Sequence, residues 1–184
     1  MLLLILGVAL WSAAHLFKRV APGLRQPLGN AGKGIAALLL VASLVMMVLG
    51  YRQAEFIPVY SPPPGIGHAN NLLMLIGLIV FGAGMSKGWL WTKIRHPMLY
   101  GVLIWVVAHL LVNGDVASLI LFGGMGLWAV AEIVLINRQT AWQRPVSGGP
   151  KRDLALVGVV LVMYGLIALV HIWTGHNPFL GTYA

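Results

Sequence analysis

The chain has 184 residues, of which 59% are hydrophobic and only 9% charged, and its formal net charge is +8. Soluble domains contain about 25% charged residues, so this composition excludes a soluble globular protein and indicates an integral protein of a lipid bilayer. The basic residues lie in short loops between apolar segments, where anionic headgroups rather than nucleic acid are the expected neighbours. The chain has no cysteine, which excludes disulfides and thiolate metal sites.

Six apolar segments approach or reach the length of about 20 residues that a helix needs to cross a bilayer. They are Leu2–Phe17, Gly34–Tyr51, Asn71–Met85, Pro97–Val112, Val116–Ile136 and Leu154–Trp173. The sequence therefore predicts an all-α protein whose six transmembrane helices form one domain over residues 1–184. The first segment has no basic residue before its apolar run, so we expect a retained helix rather than a cleaved signal peptide.

The basic residues are distributed unevenly between the loops. Eleven of the twelve lie in the first, third and fifth loops, and the even-numbered loops contain only Arg52. Because Lys and Arg in short loops favour the cytoplasmic side, both termini are predicted to lie on the non-cytoplasmic side.

Ionisable side chains within membrane spans are costly, and each is a candidate for function. The predicted topology places four candidates near the cytoplasmic surface, and we call them the inner cluster: His15, Arg95, His96 and Glu132. An acid, a guanidinium and imidazoles at one depth could bind a charged ligand or transfer protons. Alternatively, Glu132 pairs with an arginine only to neutralise its charge.

A second group of polar residues, the outer cluster, is predicted in the non-cytoplasmic half of the membrane. It comprises His109, Asn113, Asp115 and His171. On the fourth span, residues spaced by four form one stripe: Gly101, Trp105, His109 and Asn113. The glycine in this stripe could leave room for a flat ligand between helices.

His109 is the leading candidate for a ligand-binding residue, because a buried imidazole is a common axial ligand of haem. His96 lies 13 residues before it, a rise of about 20 Å along a helix. This separation predicts that the two histidines serve different sites. A short motif around His109, WVVAHL at residues 105–110, also occurs as WSAAHL at residues 11–16. Four matches in six residues favour coincidence over an inverted repeat.

Several motifs resemble the NnrU family of membrane proteins, and the resemblance covers essentially the full chain. They are Arg95-His96-Pro97-Met98-Leu99-Tyr100-Gly101, Trp105, Ala108-His109-Leu110 and Asn113-Gly114-Asp115, together with Trp11–Leu16 and Gly50-Tyr51-Arg52 in the first two spans. The family is associated with bacterial nitrite and nitric oxide reduction. The resemblance therefore implies a multi-pass protein of the bacterial inner membrane.

The family is itself similar to plant 15-cis-ζ-carotene isomerase, a haem b membrane enzyme with histidine ligation. This resemblance implies that His109 and His15 bind haem b, and that the iron acts on a small apolar or gaseous ligand in an isomerase-like or redox role. Straight helices would separate the two histidines by roughly 10 Å or more. For that reason, His171 and His68 are alternative partners of His109.

Two other functions stay open. A more distant resemblance to isoprenylcysteine-type membrane methyltransferases implies an S-adenosylmethionine site at Arg95, His96 and Glu132. The tyrosine of that motif is displaced by one residue here, and Ala131 stands where a second acid is expected. The third possibility is a non-catalytic assembly factor for a respiratory complex of denitrification, which would bind another membrane protein or form a homo-oligomer.

Overall fold

The computed structural model describes residues 1–180, and six apolar helices are its main elements. They are α1 Leu2–Val20, α2 Gly29–Arg52, α3 Ile66–Ser86, α4 Pro97–Val112, α5 Val116–Gln139 and α6 Pro150–Trp173. Five of them are long and apolar enough to cross a membrane, and α4 is a shorter apolar helix. The predicted all-α membrane fold is confirmed, and the five long helices with α4 match the six predicted spans.

The helix ends follow local signals in the sequence. Two short helical turns, Pro22–Arg25 and Gln26–Leu28, connect α1 to α2. Helix α3 begins after Gly65, which has a left-handed backbone (φ 77°). Helix α4 has Pro97 at its first position, and its 16 residues extend about 24 Å, less than the ~30 Å hydrocarbon core of a typical bilayer.

The contacts divide the described chain into two compact units. Unit 1 consists of Met1–Tyr60 and Gly114–Gln139, and therefore of α1, α2 and α5. Unit 2 consists of residues 61–113 and 140–180, and therefore of α3, α4 and α6. Each unit thus combines two helices that are consecutive in the chain with a third from further along it.

Glycines bring the helices of unit 1 close together. A Cβ added to Gly7 would lie 2.8 Å from the backbone nitrogen of Met47, and one added to Gly50 would overlap the backbone of Leu4. In a bilayer, where lipid is as apolar as the side chains, small residues let helices associate by close van der Waals packing. Glycines on both helices therefore allow α1 and α2 to pack closely as an antiparallel pair.

Unit 2 uses the same device between α3 and α4. A Cβ on Gly101 would lie 2.5 Å from Phe81 Cβ and 2.9 Å from the carbonyl oxygen of Gly77. The space beside Gly101 is filled by α3, so this glycine serves helix packing rather than leaving room for a flat ligand. Helix α6 packs on the other side of α3, where Leu156 and Val160 form a buried cluster with Ala83.

A π-helical turn over Leu119–Gly123 interrupts α5. Such a turn adds one residue and rotates the following part of the helix by about 100°. The rotation sets the face that the C-terminal half of α5 presents to α1, and this face carries the polar residues of unit 1.

Candidate functional site

In unit 1, one face of α1 meets one face of α5 in successive layers of aromatic and charged side chains, which we call the α1–α5 cluster. The α1 side consists of residues spaced by four: Trp11, His15 and Arg19. The α5 side consists of Trp128, Glu132 and Gln139.

The first layer of this cluster holds the imidazole of His15 between two indole rings. The centroid of the His15 ring lies 4.3 Å from that of Trp11 and 4.7 Å from that of Trp128. The two indoles contact each other edge to face, with their centroids 5.4 Å apart. Trp128 is only 7% exposed. The buried Nε1 atoms of both tryptophans have no hydrogen-bond partner in the described structure.

A local hydrogen bond fixes the tautomer of His15. Its Nδ1 lies 3.1 Å from the carbonyl oxygen of Trp11, one turn earlier in α1. A carbonyl oxygen can only accept, so the ring proton is on Nδ1 and the lone pair is on Nε2.

The second layer is an ion pair that neutralises Glu132. The Nε of Arg19 donates to Glu132 Oε2 at 2.7 Å, and the two side chains are 24% and 6% exposed. Gln139 adds a third member, because its Nε2 donates to the carbonyl oxygen of Arg19 at 3.0 Å. The charge of Glu132 is therefore balanced within unit 1, as one of the two sequence-based interpretations expected.

The other two members of the predicted inner cluster belong to unit 2 and stabilise the start of α4. The guanidinium of Arg95 donates to the carbonyl oxygen of Thr140. His96 is the buried residue that precedes the first turn of α4, and its carbonyl accepts from the backbone N–H of Tyr100 at 2.9 Å. Arg95 and His96 lie in a different unit from His15 and Glu132, a division that the depth of the residues could not reveal.

His109 in α4 repeats the local arrangement of His15. Its Nδ1 lies 2.9 Å from the carbonyl oxygen of Trp105, and the two rings are 5.1 Å apart. The lone pair is again on Nε2. Asn113 donates to the carbonyl oxygen of His109 at 2.8 Å and so ends the helix. The two Trp-x-x-x-His motifs thus have the same local geometry, one in each unit.

Of the predicted outer cluster, unit 2 also contains His171, which lies close enough to His109 to interact with it electrostatically. The Nδ1 of His171 is 2.8 Å from the carbonyl oxygen of Ile167, so its tautomer matches that of His109. Among residues 1–180, no group of three or more histidine, aspartate or glutamate side chains could hold a metal ion. Haem iron, in contrast, needs only one or two protein ligands, and a histidine imidazole can be such a ligand.

Asp115 belongs to unit 1, where it caps α5. Its two carboxylate oxygens accept from the backbone N–H and the hydroxyl of Ser118, at 3.0 and 2.5 Å. The hydroxyl of Tyr51 lies 2.8 Å from the same serine oxygen. Burial, followed by the nearby Asp115 carboxylate, raises the pKa of Tyr60 above its ordinary value. Asp115 therefore organises the entry into α5.

Sequence reasoning missed several residues of these networks, including Gln139 and Ser118. Arg19 and Trp128 were overlooked, although each stands four residues from a predicted site residue on the same helix, and that spacing was the available signal. The carboxylate of Asp153 accepts from the backbone N–H groups of Trp89 and Leu90, at 2.6 and 3.4 Å. No local pattern in the sequence indicates this last contact.

The profile of one protein family, NnrU protein, matches residues 3–178 of the chain. No curated protein and no solved structure matches it. The matched region extends from the first turn of α1 to beyond the end of α6, so it includes every residue of both Trp-x-x-x-His motifs.

Proposed function

We propose, since the chain belongs to the NnrU family, that this integral membrane protein binds haem b and that His109 would hold its iron. When bound, haem supplies an iron centre for small-ligand binding or electron transfer. The small apolar or gaseous ligands that dissolve in a bilayer are the class proposed to react there, in an isomerase-like or nitrogen-oxide-related redox reaction. The bacterial inner membrane is the proposed location.

The observation that carries this proposal is the hydrogen bond between the His109 ring and the carbonyl oxygen of Trp105. Metal-ligating histidines normally donate their other ring N–H to a carbonyl or carboxylate, which orients the ring and makes the ligating nitrogen more basic. In His109 the backbone carbonyl has this role, and the indole of Trp105 packs against the ring. This hydrogen bond, which leaves the ring proton on Nδ1, supports the proposal that Nε2 would bind the iron.

His171 is the second ligand that we propose, because it belongs to the same unit as His109, interacts with it electrostatically and has the same tautomer. The resemblance to the isomerase implies His15 in this role, and that imidazole also bonds a backbone carbonyl through Nδ1. Ligand replacement separates the two.

The test is the absorption spectrum of protein purified after expression with ample haem. We expect a Soret band that is lost or greatly weakened in His109→Ala, and that exogenous imidazole restores by entering the vacated space. His15→Ala and His171→Ala should differ, because only the second ligand shifts the spectrum toward a five-coordinate form. His176→Ala, which alters an exposed histidine outside the helices, is the matched control. A colourless wild-type protein, or an unchanged Soret band in His109→Ala, would contradict the proposal.

The other two functions are separated from haem binding by different measurements. In the described residues, Glu132 is already paired with Arg19 and Arg95 is bonded to a backbone carbonyl, so neither charge favours an S-adenosylmethionine site. Calorimetric titration with S-adenosylmethionine would detect such a site directly. An assembly factor would co-purify with a second membrane protein and would have no Soret band.

A further inference from the structure

An open apolar groove of about 480 Å³ lies between α3 and α4 in unit 2. Its walls include Leu73 and Val80 of α3, Tyr100, Ile104 and Val107 of α4, and Ile94 before α4. Among the described residues, none contributes polar surface to the groove. Its volume is within the ~300–1,000 Å³ of small-molecule sites, and its wall chemistry suits a hydrocarbon chain.

The groove fits within one leaflet of a bilayer. Its part on α4 runs from Tyr100 to Val107, a rise of about 10 Å, and Ile94 continues it into the loop before α4; half of a ~30 Å hydrocarbon core is about 15 Å. One end of the groove lies at Ile94, outside the helix. A single acyl chain with its headgroup beside Ile94 would fill this length, whereas a molecule that spans both leaflets would extend beyond it.

The loop at the Ile94 end is basic. Lys93 and Arg95 are the chain neighbours of Ile94, and the segment of residues 87–96 contains no acid. The acid that contacts this loop, Asp153, is bonded to backbone N–H groups. The ammonium of Lys93 lies 4.9 Å from the ring centroid of Trp89, an exposed tryptophan of the kind found at the headgroup level.

We propose that this groove binds one acyl chain of an anionic phospholipid, whose phosphate is held by Lys93. The lipid belongs to the leaflet whose headgroups lie at the level of this loop. Charge complementarity favours this occupant over a second copy of the chain, because two parallel copies would bring equally basic loops together. The inference depends on unit 2 alone and does not require haem.

The test is native mass spectrometry of the purified protein with equimolar phosphatidylglycerol and phosphatidylcholine. We expect one retained phospholipid, with phosphatidylglycerol preferred. Val107 and Leu103 both line the groove, so Val107→Trp and Leu103→Trp should each abolish retention of both lipids by filling it. Since Val107 is 52% exposed, the tryptophan can occupy the groove without disturbing the core. Leu161→Trp, at a 57% exposed position of α6, is the control for the larger side chain.

The charge of Lys93 is tested separately. Lys93→Gln should lower the preference for phosphatidylglycerol about fivefold, the factor that corresponds to ~1 kcal/mol for one basic residue at a membrane surface, while phosphatidylcholine is still retained. Lys93→Arg and Lys151→Gln should leave the preference unchanged.

Three results would overturn the proposal: equal retention of both lipids by the wild type, unchanged retention in both groove-filling variants, or a homodimer that Val107→Trp dissociates. Retention of haem by a groove-filled variant would leave the proposed function intact.

Discussion

Replacing Arg19 with methionine removes the guanidinium that pairs with Glu132, and we expect a large loss of stability. Glu132 is only 6% exposed, and leaving a buried charge without its partner costs about 3–5 kcal/mol. Arg19 retains 24% exposure, so water reaches the pair from one side and the loss should be near the lower end, about 3 kcal/mol. Glu132→Met should cost less, because the flexible Arg19 side chain can extend toward the headgroups.

The double variant Arg19→Met/Glu132→Met distinguishes a charge pair from a functional carboxylate. An apolar pair of similar volume often replaces a buried ion pair without loss, so its unfolding free energy should be within about 1 kcal/mol of the wild type. The four proteins of this cycle give the coupling energy directly. If the same double variant keeps its Soret band, Glu132 has no essential part in haem binding.

The assay is equilibrium unfolding in detergent micelles, followed by the fluorescence of the tryptophans that surround His15. Lys18→Met is the control, because this exposed neighbouring charge should contribute less than about 1 kcal/mol. The assigned ion pair would be contradicted by an Arg19→Met variant that is no less stable than Lys18→Met, or by a double variant that is as unstable as the worse single variant.

Three further predictions concern two glycines, the carboxylate of Asp153 and the orientation of the termini. A Cβ on Gly114 would overlap the carbonyl oxygen of Tyr60, so Gly114→Ala should lower the free energy of unfolding by about 1–3 kcal/mol. A Cβ on Gly158 would meet no atom within 4 Å, so Gly158→Ala should raise the free energy of unfolding by up to about 1 kcal/mol. A drop in stability for both variants would point to a general intolerance of alanine. Asp153→Asn should accelerate hydrogen exchange at the backbone amide of Trp89, and unchanged exchange would contradict the role assigned to its carboxylate. Alkaline phosphatase fused to the C-terminus should be active and a green fluorescent protein fusion dark, while the reverse pattern would disprove the predicted orientation.

The helices of this protein could be predicted from its sequence because the signals that define them are local. A membrane span must satisfy its backbone hydrogen bonds internally and present apolar side chains to lipid, so hydropathy alone reveals it. Helix α4 has the predicted bounds, Pro97–Val112, since proline begins it and Asn113 bonds to its last turn. The geometry of the two Trp-x-x-x-His motifs is also local, because each ring bonds to a carbonyl one turn earlier.

The sequence alone could not assign these helices to their neighbours. Distance along a helix gives the depth of a residue in the membrane, but it contains no information about position in the membrane plane. Grouping by depth therefore joined Glu132 with Arg95, whereas the structure pairs Glu132 with Arg19, 113 residues away in the chain. Lateral packing decided this, through the contacts that join α1 to α5 within one unit and hold Arg95 and His96 in the other.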